Sequence, residues 1–296
     1  MEQDTATLSL QKARPGMGAR LLRALKSDKE LTFGLALLLA VVLIGIVGPF
    51  LVKDPQHIDV ANRLKPPVFI EGGTSAHLLG TDQLGRDMLS RLVYGMHNSA
   101  IISITAVIFS VMIGSLVGLF SGYFGRFVDT VLMRLTDIQL AFPFIILSVA
   151  VLSLTRPTIL NITIVLAIVN WPTYARVIRS LVLSEKEKDY VRAAQILGAS
   201  GRRVVAKYIA PNIIPNVIAI STLDIATMVI SEAILGFLGL GIQPPDPSWG
   251  NIMADGRQYI ETAWWITTLP GVFIIVAVFG ISLIGEQMAS KFSSRG

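Results

Sequence analysis

The stretch SEKEKDYVRAAQILGASGRRVVAKYIAPNIIP, residues 184–215, is a polar interruption between two long apolar runs. Charged residues occupy positions 185–189, and helix-forming residues follow from Tyr190 to Leu197. Gly198 then stands where a glycine commonly ends a helix. Four residues recur at helical spacing and are expected to share one face: Tyr190, Ala193, Ala194 and Leu197. Its two alanines give this face little bulk, which favours close docking of a soluble partner.

The same stretch resembles the EAA loop of ABC importer permeases, whose coupling helix contacts the ATPase subunit. Three residues depart from the family's usual form, which begins with Glu and ends with Ile-x-Leu-Pro: Arg192, Tyr208 and Ala210. An arginine in the place of the glutamate is common in the peptide branch of the family. The resemblance implies contact with an ATPase at the following residues: Arg192, Ala193, Ala194, Gly198, Tyr208 and Pro211.

The composition is that of a membrane protein. The 296 residues are 52% hydrophobic and 15% charged, with a mean hydropathy of +0.63, which is too apolar for a soluble domain. The sequence pI of about 9.6 does not indicate nucleic-acid binding, because the basic residues lie between apolar runs. With no cysteine, the chain has no disulfide, thiol nucleophile or cysteine-ligated metal.

Apolar runs predict an all-α protein with six membrane spans, at residues 31–52, 99–123, 131–154, 159–178, 213–238 and 265–288. The spans divide the chain into an N-terminal tail, an extracytoplasmic segment, a permease core and a C-terminal tail, at residues 1–30, 53–98, 99–290 and 291–296. The coupling loop, residues 184–215, lies within the core.

Loop charges predict the orientation of the chain. Residues 176–207 carry eight basic residues against three acidic ones, whereas Arg156 and Arg257 are the only basic residues of two other loops. Basic loops stay in the cytoplasm. We therefore expect a multi-pass protein of the cell inner membrane, with both termini and the coupling loop cytoplasmic.

A second motif, GTDQLGRDMLSR, covers residues 80–91 in the extracytoplasmic segment. His77 and Asp82 are close in sequence, but no third ligand or base at a recognisable spacing supports a metal or catalytic site. The motif strongly resembles the segment before the second span of C-type subunits in dipeptide, oligopeptide and nickel permeases. Its site residues are Gly80, Thr81, Asp82, Gly85, Arg86 and Asp87.

A third motif, FLGLGIQPPDPSWG, covers residues 237–250 and is similar to the loop before the last span in the same family. In that family the loop faces outwards, near the path by which the binding protein delivers solute. Pro244 and Pro245 predict extended backbone, and Trp249 suits a membrane interface.

Polar residues inside predicted spans carry two interpretations that remain open. A charge at mid-bilayer costs about 2.5–3.5 kcal/mol on insertion scales, so such groups should face protein or water. They either line a solute pathway or tie helices together, with Arg134 as one possible partner of the carboxylates. The residues concerned are Asp137, Ser221, Asp224, Ser231 and Glu232.

The resemblance implies a type I ABC importer permease fold. It implies a homologous permease, two ATPase subunits, an extracytoplasmic binding protein and membrane lipid as partners. The chain has no P-loop, so we expect that it is not an enzyme and binds no cofactor. ATP and Mg are expected in the ATPase subunits.

Peptides are the expected solute, with nickel, glutathione or another small solute as alternatives. A secondary transporter or channel that needs no ATPase is a different class, but no inverted repeat supports it. A membrane-embedded enzyme would need a catalytic constellation that the sequence does not show.

Overall fold

The computed structural model describes residues 29–293, so the predicted tails, 1–30 and 291–296, lie almost wholly outside the described residues. Within that range the chain is helical and contains no strand; Thr81 and Asp87 form an isolated antiparallel bridge. The helices are α1 (Lys29–Val47), α2 (Met88–Phe124), α3 (Arg126–Leu140), α4 (Phe144–Leu152), α5 (Ile159–Lys186), α6 (Asp189–Ile196), α7 (Gly201–Val204), α8 (Ala210–Phe237), α9 (Trp249–Gly256) and α10 (Trp265–Ser293). Short 3₁₀ turns lie at Gly48–Phe50, Val60–Asn62 and Arg257–Tyr259, and a π-helical turn, Val205–Ile209, joins α7 to α8.

Four helical stretches are long and apolar enough to cross a membrane: Thr32–Phe50, Met88–Phe124, Gly201–Phe237 and Trp265–Ser290. Helices α3 and α4 meet the criteria only as a pair, bent by 85°, which gives up to five spans. Among the described residues the fourth predicted span, 159–178, lies in α5 but does not qualify, since α5 contains asparagines and arginines. The prediction of six spans is therefore not exact.

Two predicted boundaries also change. The span predicted at 131–154 breaks at residues 141–143, where Pro143 stands just before α4. Helix α2 begins at Met88, so the predicted border between the extracytoplasmic segment and the core, at 98/99, falls inside a continuous helix.

The most extensive helix contact lies between α2 and α5, where three glycines of α2 meet α5 directly. A Cβ at Gly114 would lie 2.4 Å from Tyr174 Cβ, and one at Gly118 would lie 2.7 Å from the Ala175 carbonyl oxygen. Gly122 repeats the contact one turn later, at 2.8 Å from Val182 Cβ. Small residues at every fourth position are typical of such close packing between membrane helices.

Two apolar clusters hold the bundle together. One joins α2, α5 and α8 and includes Ile102, Leu166 and Leu235, all fully buried. The other joins the beginning of α2 to α9 and α10 and includes Met88 and Ile252. Helix α2 contributes to both clusters, so it connects the end of the bundle that carries the coupling loop to the end that carries the second and third motifs.

Candidate functional site

The second and third motifs form one structure at one end of the bundle, which we call the cap (residues 53–91 and 237–264). Its centre is a buried charge network. The fully buried Asp82 carboxylate accepts from Arg86 Nε and Arg91 Nη1, each at 2.6 Å. Asp255 of α9 accepts from Arg91 Nη2 at 2.9 Å and from Arg86 Nη2 at 3.3 Å. Two guanidinium groups thus share two carboxylates, and both carboxylates are needed because an unpaired buried charge is costly.

Local backbone geometry places Asp82 in this network. Its Oδ1 also accepts from the backbone N–H groups of Leu84 and Arg86, at 2.8 and 2.9 Å, which fixes the turn between them. Gly85 has φ +78°, and a Cβ there would lie 1.7 Å from the Asp59 carbonyl oxygen. Only glycine fits that position, in both conformation and space.

Asp87 caps α2 and does not join the charge network. Its carboxylate accepts from the Ser90 N–H at 2.9 Å, which satisfies a free donor in the first turn. His77 Nδ1 lies 2.9 Å from the other oxygen of Asp87, so the partner of His77 is Asp87 and not Asp82. Within residues 29–293 no group of three or more His, Cys, Asp or Glu side chains is placed to hold a metal.

Two tryptophans, in and after the third motif, donate hydrogen bonds to the region of the second motif. Trp249 is buried and donates from Nε1 to the Leu92 carbonyl oxygen at 3.1 Å, so its ring packs inside the protein, and its position at a membrane interface stays a prediction. Trp265, at the beginning of α10, donates from Nε1 to the Thr81 carbonyl oxygen at 3.0 Å. The neighbouring Pro244–Pro245 peptide bond is cis and both prolines are exposed.

The remaining cap residues of the second motif also make internal contacts. Thr81 Oγ1 donates to the Asn62 carbonyl oxygen at 2.6 Å and accepts from the Lys65 N–H at 2.8 Å. Gly80 has φ +81° and lies against the Lys65 carbonyl oxygen. Sequence reasoning did not select Arg91 or Asp255 as site residues. Arg91 stands one helical turn after the capping Asp87, and Asp255 is a lone acid in a short helix. Neither pattern is a strong local signal of a site residue.

At the other end of the bundle, α6 projects from the coupling loop with one buried and one exposed side. Val191 and Ala194 are buried against the chain itself, whereas Ala193 and Arg192 are exposed. The prediction that Ala193 and Ala194 lie together on a docking face is therefore wrong for Ala194. The exposed side instead ends in two large apolar side chains, Ile196 at 85% and Leu197 at 87% exposure.

Gly198 ends α6 with φ +84°, as the sequence predicted. Its N–H donates to the Gln195 carbonyl oxygen, and the Ala199 N–H donates to that of Ala194, both at 3.0 Å. This pair of bonds is the Schellman arrangement, which satisfies carbonyl groups left free at a helix end. No atom lies within 4 Å of the position that a Cβ at Gly198 would take.

Hydrogen bonds hold α6 against the ends of α5 and α8. The Tyr190 hydroxyl donates to the buried Glu185 carboxylate, and Asn212 Nδ2 donates to the Tyr190 oxygen at 3.0 Å. Desolvation and the Glu185 hydrogen bond raise the pKa of Tyr190 to about 12, so the phenol stays protonated. Asn212 also donates to the Tyr208 carbonyl oxygen at 2.6 Å, and Pro211 lies in the first turn of α8. Tyr208 and Pro211 thus belong to the hinge between the loop and α8.

The polar residues of the predicted spans make interhelical contacts. Asp224 on α8 accepts from Asn170 Nδ2 at 2.6 Å and from the Tyr174 hydroxyl at 2.8 Å, both on α5. Its partner is therefore not Arg134. Asp137 on α3 pairs with Arg176 on α5 at 2.6 Å, and each side chain is about half exposed.

Glu232 is fully buried and accepts from Ser99 Oγ on α2 at 2.7 Å. Its other oxygen has no hydrogen-bond partner in the part of the chain that the structure describes. Ser221 and Ser231 donate to carbonyl oxygens one turn earlier in α8, those of Val217 and Thr227. These contacts favour the interhelical interpretation for Asp224 and Glu232, and a role in a pathway stays a prediction.

Comparisons with known proteins show which family this chain resembles. Residues 114–295 match the family described as "Binding-protein-dependent transport system inner membrane component". The di/tripeptide transport system permease protein DppC of Pseudomonas aeruginosa (strain UCBPP-PA14) is 40% identical over 256 residues, which cover 86% of this chain and 84% of that protein. The dipeptide transport system permease protein DppC of Escherichia coli (strain K12) is 38% identical over 264 residues, covering 89% and 88%.

Solved structures show the same fold. A chain of the MetNI methionine ABC transporter in an inward-facing conformation superposes with a TM-score of 0.58 at 22% identity, covering 69% of this chain and 97% of that one. The predicted fold, an all-α membrane protein of the type I ABC importer permease class, is confirmed. The chain belongs to the family of binding-protein-dependent transport system inner membrane components.

Proposed function

We propose that this chain is a permease subunit of an ATP-driven importer and that the transported solutes are di- and oligopeptides. The relatives at 40% and 38% identity are named as dipeptide or di/tripeptide permeases, which supports the choice of peptide. An extracytoplasmic binding protein delivers the peptide at the cap, and the chain carries out no chemistry on it. ATP and Mg are bound by separate subunits.

The observation that carries this proposal is the exposed side of α6. Ile196 and Leu197 are 85% and 87% exposed at the tip of a loop that lies between α5 and α8. Two adjacent large apolar side chains, exposed on a polar loop beside the exposed Arg192 and Ala193, mark a protein interaction surface. Since the hydrogen bonds of Tyr190 and Asn212 join this surface to two long helices, a partner that moves α6 also moves the bundle.

The polar and charged residues of α5 and α3 support the presence of a second permease subunit. Helix α5 is not apolar enough to face lipid on all sides. The half-exposed ion pair of Asp137 with Arg176 lies beside the exposed Arg134. Charged groups within membrane helices normally face protein or a water-filled cavity. This side of the bundle therefore faces the homologous subunit across the pathway, in a complex with two ATPases.

The orientation rests on the loop charges, with both termini and the coupling loop in the cytoplasm and the cap outside. Reporter fusions near Lys188 should report inside, and fusions near Asp246 should report outside. A fusion near Lys188 that reports outside would contradict both the orientation and the role of α6.

The decisive experiment expresses the chain with its ATPase, partner permease and binding protein, and measures peptide uptake and peptide-stimulated ATP hydrolysis. The double variant Ile196→Asp with Leu197→Asp should insert normally, because both side chains are exposed, and should lose both activities. Leu154→Asp is the matched control, since Leu154 is also 87% exposed but lies between α4 and α5. Normal uptake in the double variant would exclude α6 as the ATPase contact.

A further inference from the structure

A cavity of about 500 Å³ lies at the end of α2, beside the segment that follows α6. Leu116, Phe120 and Phe124 of α2 line one wall, and Gly201 and Arg202 of α7 line the other. The two phenylalanine rings stack at a centroid distance of 5.8 Å, and both are more than half exposed. The cavity is thus an open groove between a membrane helix and the coupling loop.

The apolar wall continues an exposed face of α2. Ile108, Met112 and Leu116 are exposed at intervals of one helical turn, and Phe120 and Phe124 extend the same row. Since α2 is long and apolar enough to span a membrane, this row is suited to contact acyl chains along its length. The groove lies at the end of this row that is next to the coupling loop.

Two residues that line the cavity carry hydrogen-bond donors. Arg202 and Tyr123 both line it, and within residues 29–293 neither the Arg202 guanidinium nor the Tyr123 hydroxyl has a hydrogen-bond or ion-pair partner. Lys186 adds a positive charge nearby, since its Nζ donates to the Tyr123 carbonyl oxygen at 2.9 Å and lies 5.4 Å from the Tyr123 ring centroid. No acidic residue is among those that line the cavity.

We propose that this groove binds one anionic phospholipid. An acyl chain lies along Phe120 and Phe124, and the phosphate accepts hydrogen bonds from Arg202 and Tyr123. A basic groove beside membrane helices at the cytoplasmic surface is suited to anionic headgroups, whereas a zwitterionic lipid would bring a second cation towards Arg202 and Lys186. The assignment to the cytoplasmic leaflet rests on the orientation proposed above.

A lipid bound in this groove would contact the coupling loop and could therefore affect how that loop responds to the ATPase. A Cβ at Gly201 would lie 2.9 Å from the Tyr123 hydroxyl oxygen, so α7 and α2 approach closely at this point. A phosphate held by Arg202 on one side and Tyr123 on the other would bridge them. The lipid would therefore fix the segment between α6 and α8 while α6 is engaged by its partner.

The test is lipid binding to the full-length chain, delipidated in detergent and titrated with phosphatidylglycerol or phosphatidylcholine of the same acyl composition. Native mass spectrometry reports the bound lipid. We expect phosphatidylglycerol to be preferred about fivefold and Arg202→Gln to abolish the preference. Arg203→Gln is the matched control, because Arg203 is exposed but does not line the groove. Tyr123→Phe, which removes only the hydroxyl group, should reduce the preference.

Four results would overturn the proposal. They are equal binding of the two lipids, equal loss in the Arg203→Gln control, full displacement by soluble glycerol 3-phosphate, and loss of the lipid when the partner subunits assemble. The last result would mean that protein covers the groove. A chain that keeps the lipid preference but supports no peptide uptake in any lipid would contradict the proposed function and leave the lipid site intact.

Discussion

The cap and the coupling loop lie at opposite ends of α2 and treat their charges in opposite ways. In the cap, Asp82, Arg86 and Arg91 are almost completely removed from solvent, and each has an oppositely charged partner. In the coupling loop, the ion pair of Arg192 with Glu187 is more than half exposed on both sides. The third motif of the cap also buries Trp249, whereas α6 exposes Ile196 and Leu197.

The difference separates residues that build the protein from residues that are available to partners. Both regions carry motifs of the same family, yet the cap motif makes its contacts within the chain. Its charged groups hold α9 and the beginning of α2 in one position. The coupling loop satisfies the backbone groups at the end of α6 through Gly198 and leaves Ile196 and Leu197 exposed, where another subunit can contact them.

The largest effect is expected from Asp82→Asn in the cap. The change leaves two buried guanidinium groups with one carboxylate. Breaking a buried ion pair lowers the free energy of unfolding by about 3–5 kcal/mol. The apparent Tm of the purified protein in detergent measures this loss of stability. Asp137→Asn breaks an ion pair that is about half exposed and should lower the Tm only slightly. Equal losses in the two variants would remove the distinction between buried and exposed charge.

A pair of glycine substitutions sharpens the comparison, because Gly85 and Gly198 share positive φ values, +78° and +84°. Gly85→Ala adds strain and a clash with the Asp59 carbonyl oxygen, and should destabilise the protein by roughly 2–5 kcal/mol. The Cβ added by Gly198→Ala lies in open space, so only backbone strain should lower the free energy of unfolding, by about 1–2 kcal/mol. Thermal unfolding of both variants tests this order, and a reversed order would contradict it.

Adjacent alanines in α6 should respond differently to the same change. Ala194→Trp forces bulk into a buried position and should destabilise the loop by about 1–3 kcal/mol, seen as faster proteolysis between α5 and α8. Ala193 is exposed, so Ala193→Trp should leave the rate of proteolysis unchanged. It should still reduce peptide-stimulated ATP hydrolysis by the assembled importer. Rapid proteolysis of both variants would mean that the two sides of α6 are not distinct.

The smallest effect on stability is expected for Arg192→Gln. Its ion pair with Glu187 is exposed, and such pairs contribute at most about 1 kcal/mol. The Tm should stay within the error of the measurement, while ATPase stimulation reports any contact with the partner. A clear fall in Tm would show that Arg192 supports the loop itself.

Sequence by itself determined the class of protein and the end of the coupling helix, whereas several predicted span boundaries moved. Long apolar runs predicted a membrane protein because a bilayer demands about 20 apolar residues per span. The spacing of Gly114, Gly118 and Gly122 favours close helix contact, and Gly198 predicted the helix end that the structure shows, with positive φ. These are local properties, set by periodicity and by backbone sterics within a few residues.

Only the tertiary structure decided which residues meet. Arg91 pairs with Asp255 across 164 positions of sequence, and no local pattern connects them. Ala193 and Ala194 are identical in type and adjacent, yet one is exposed and the other is buried. Periodicity shows which residues share a side of a helix, but not which side the rest of the chain covers. That choice depends on long-range packing, since burial is favourable only where another element arrives to exclude water.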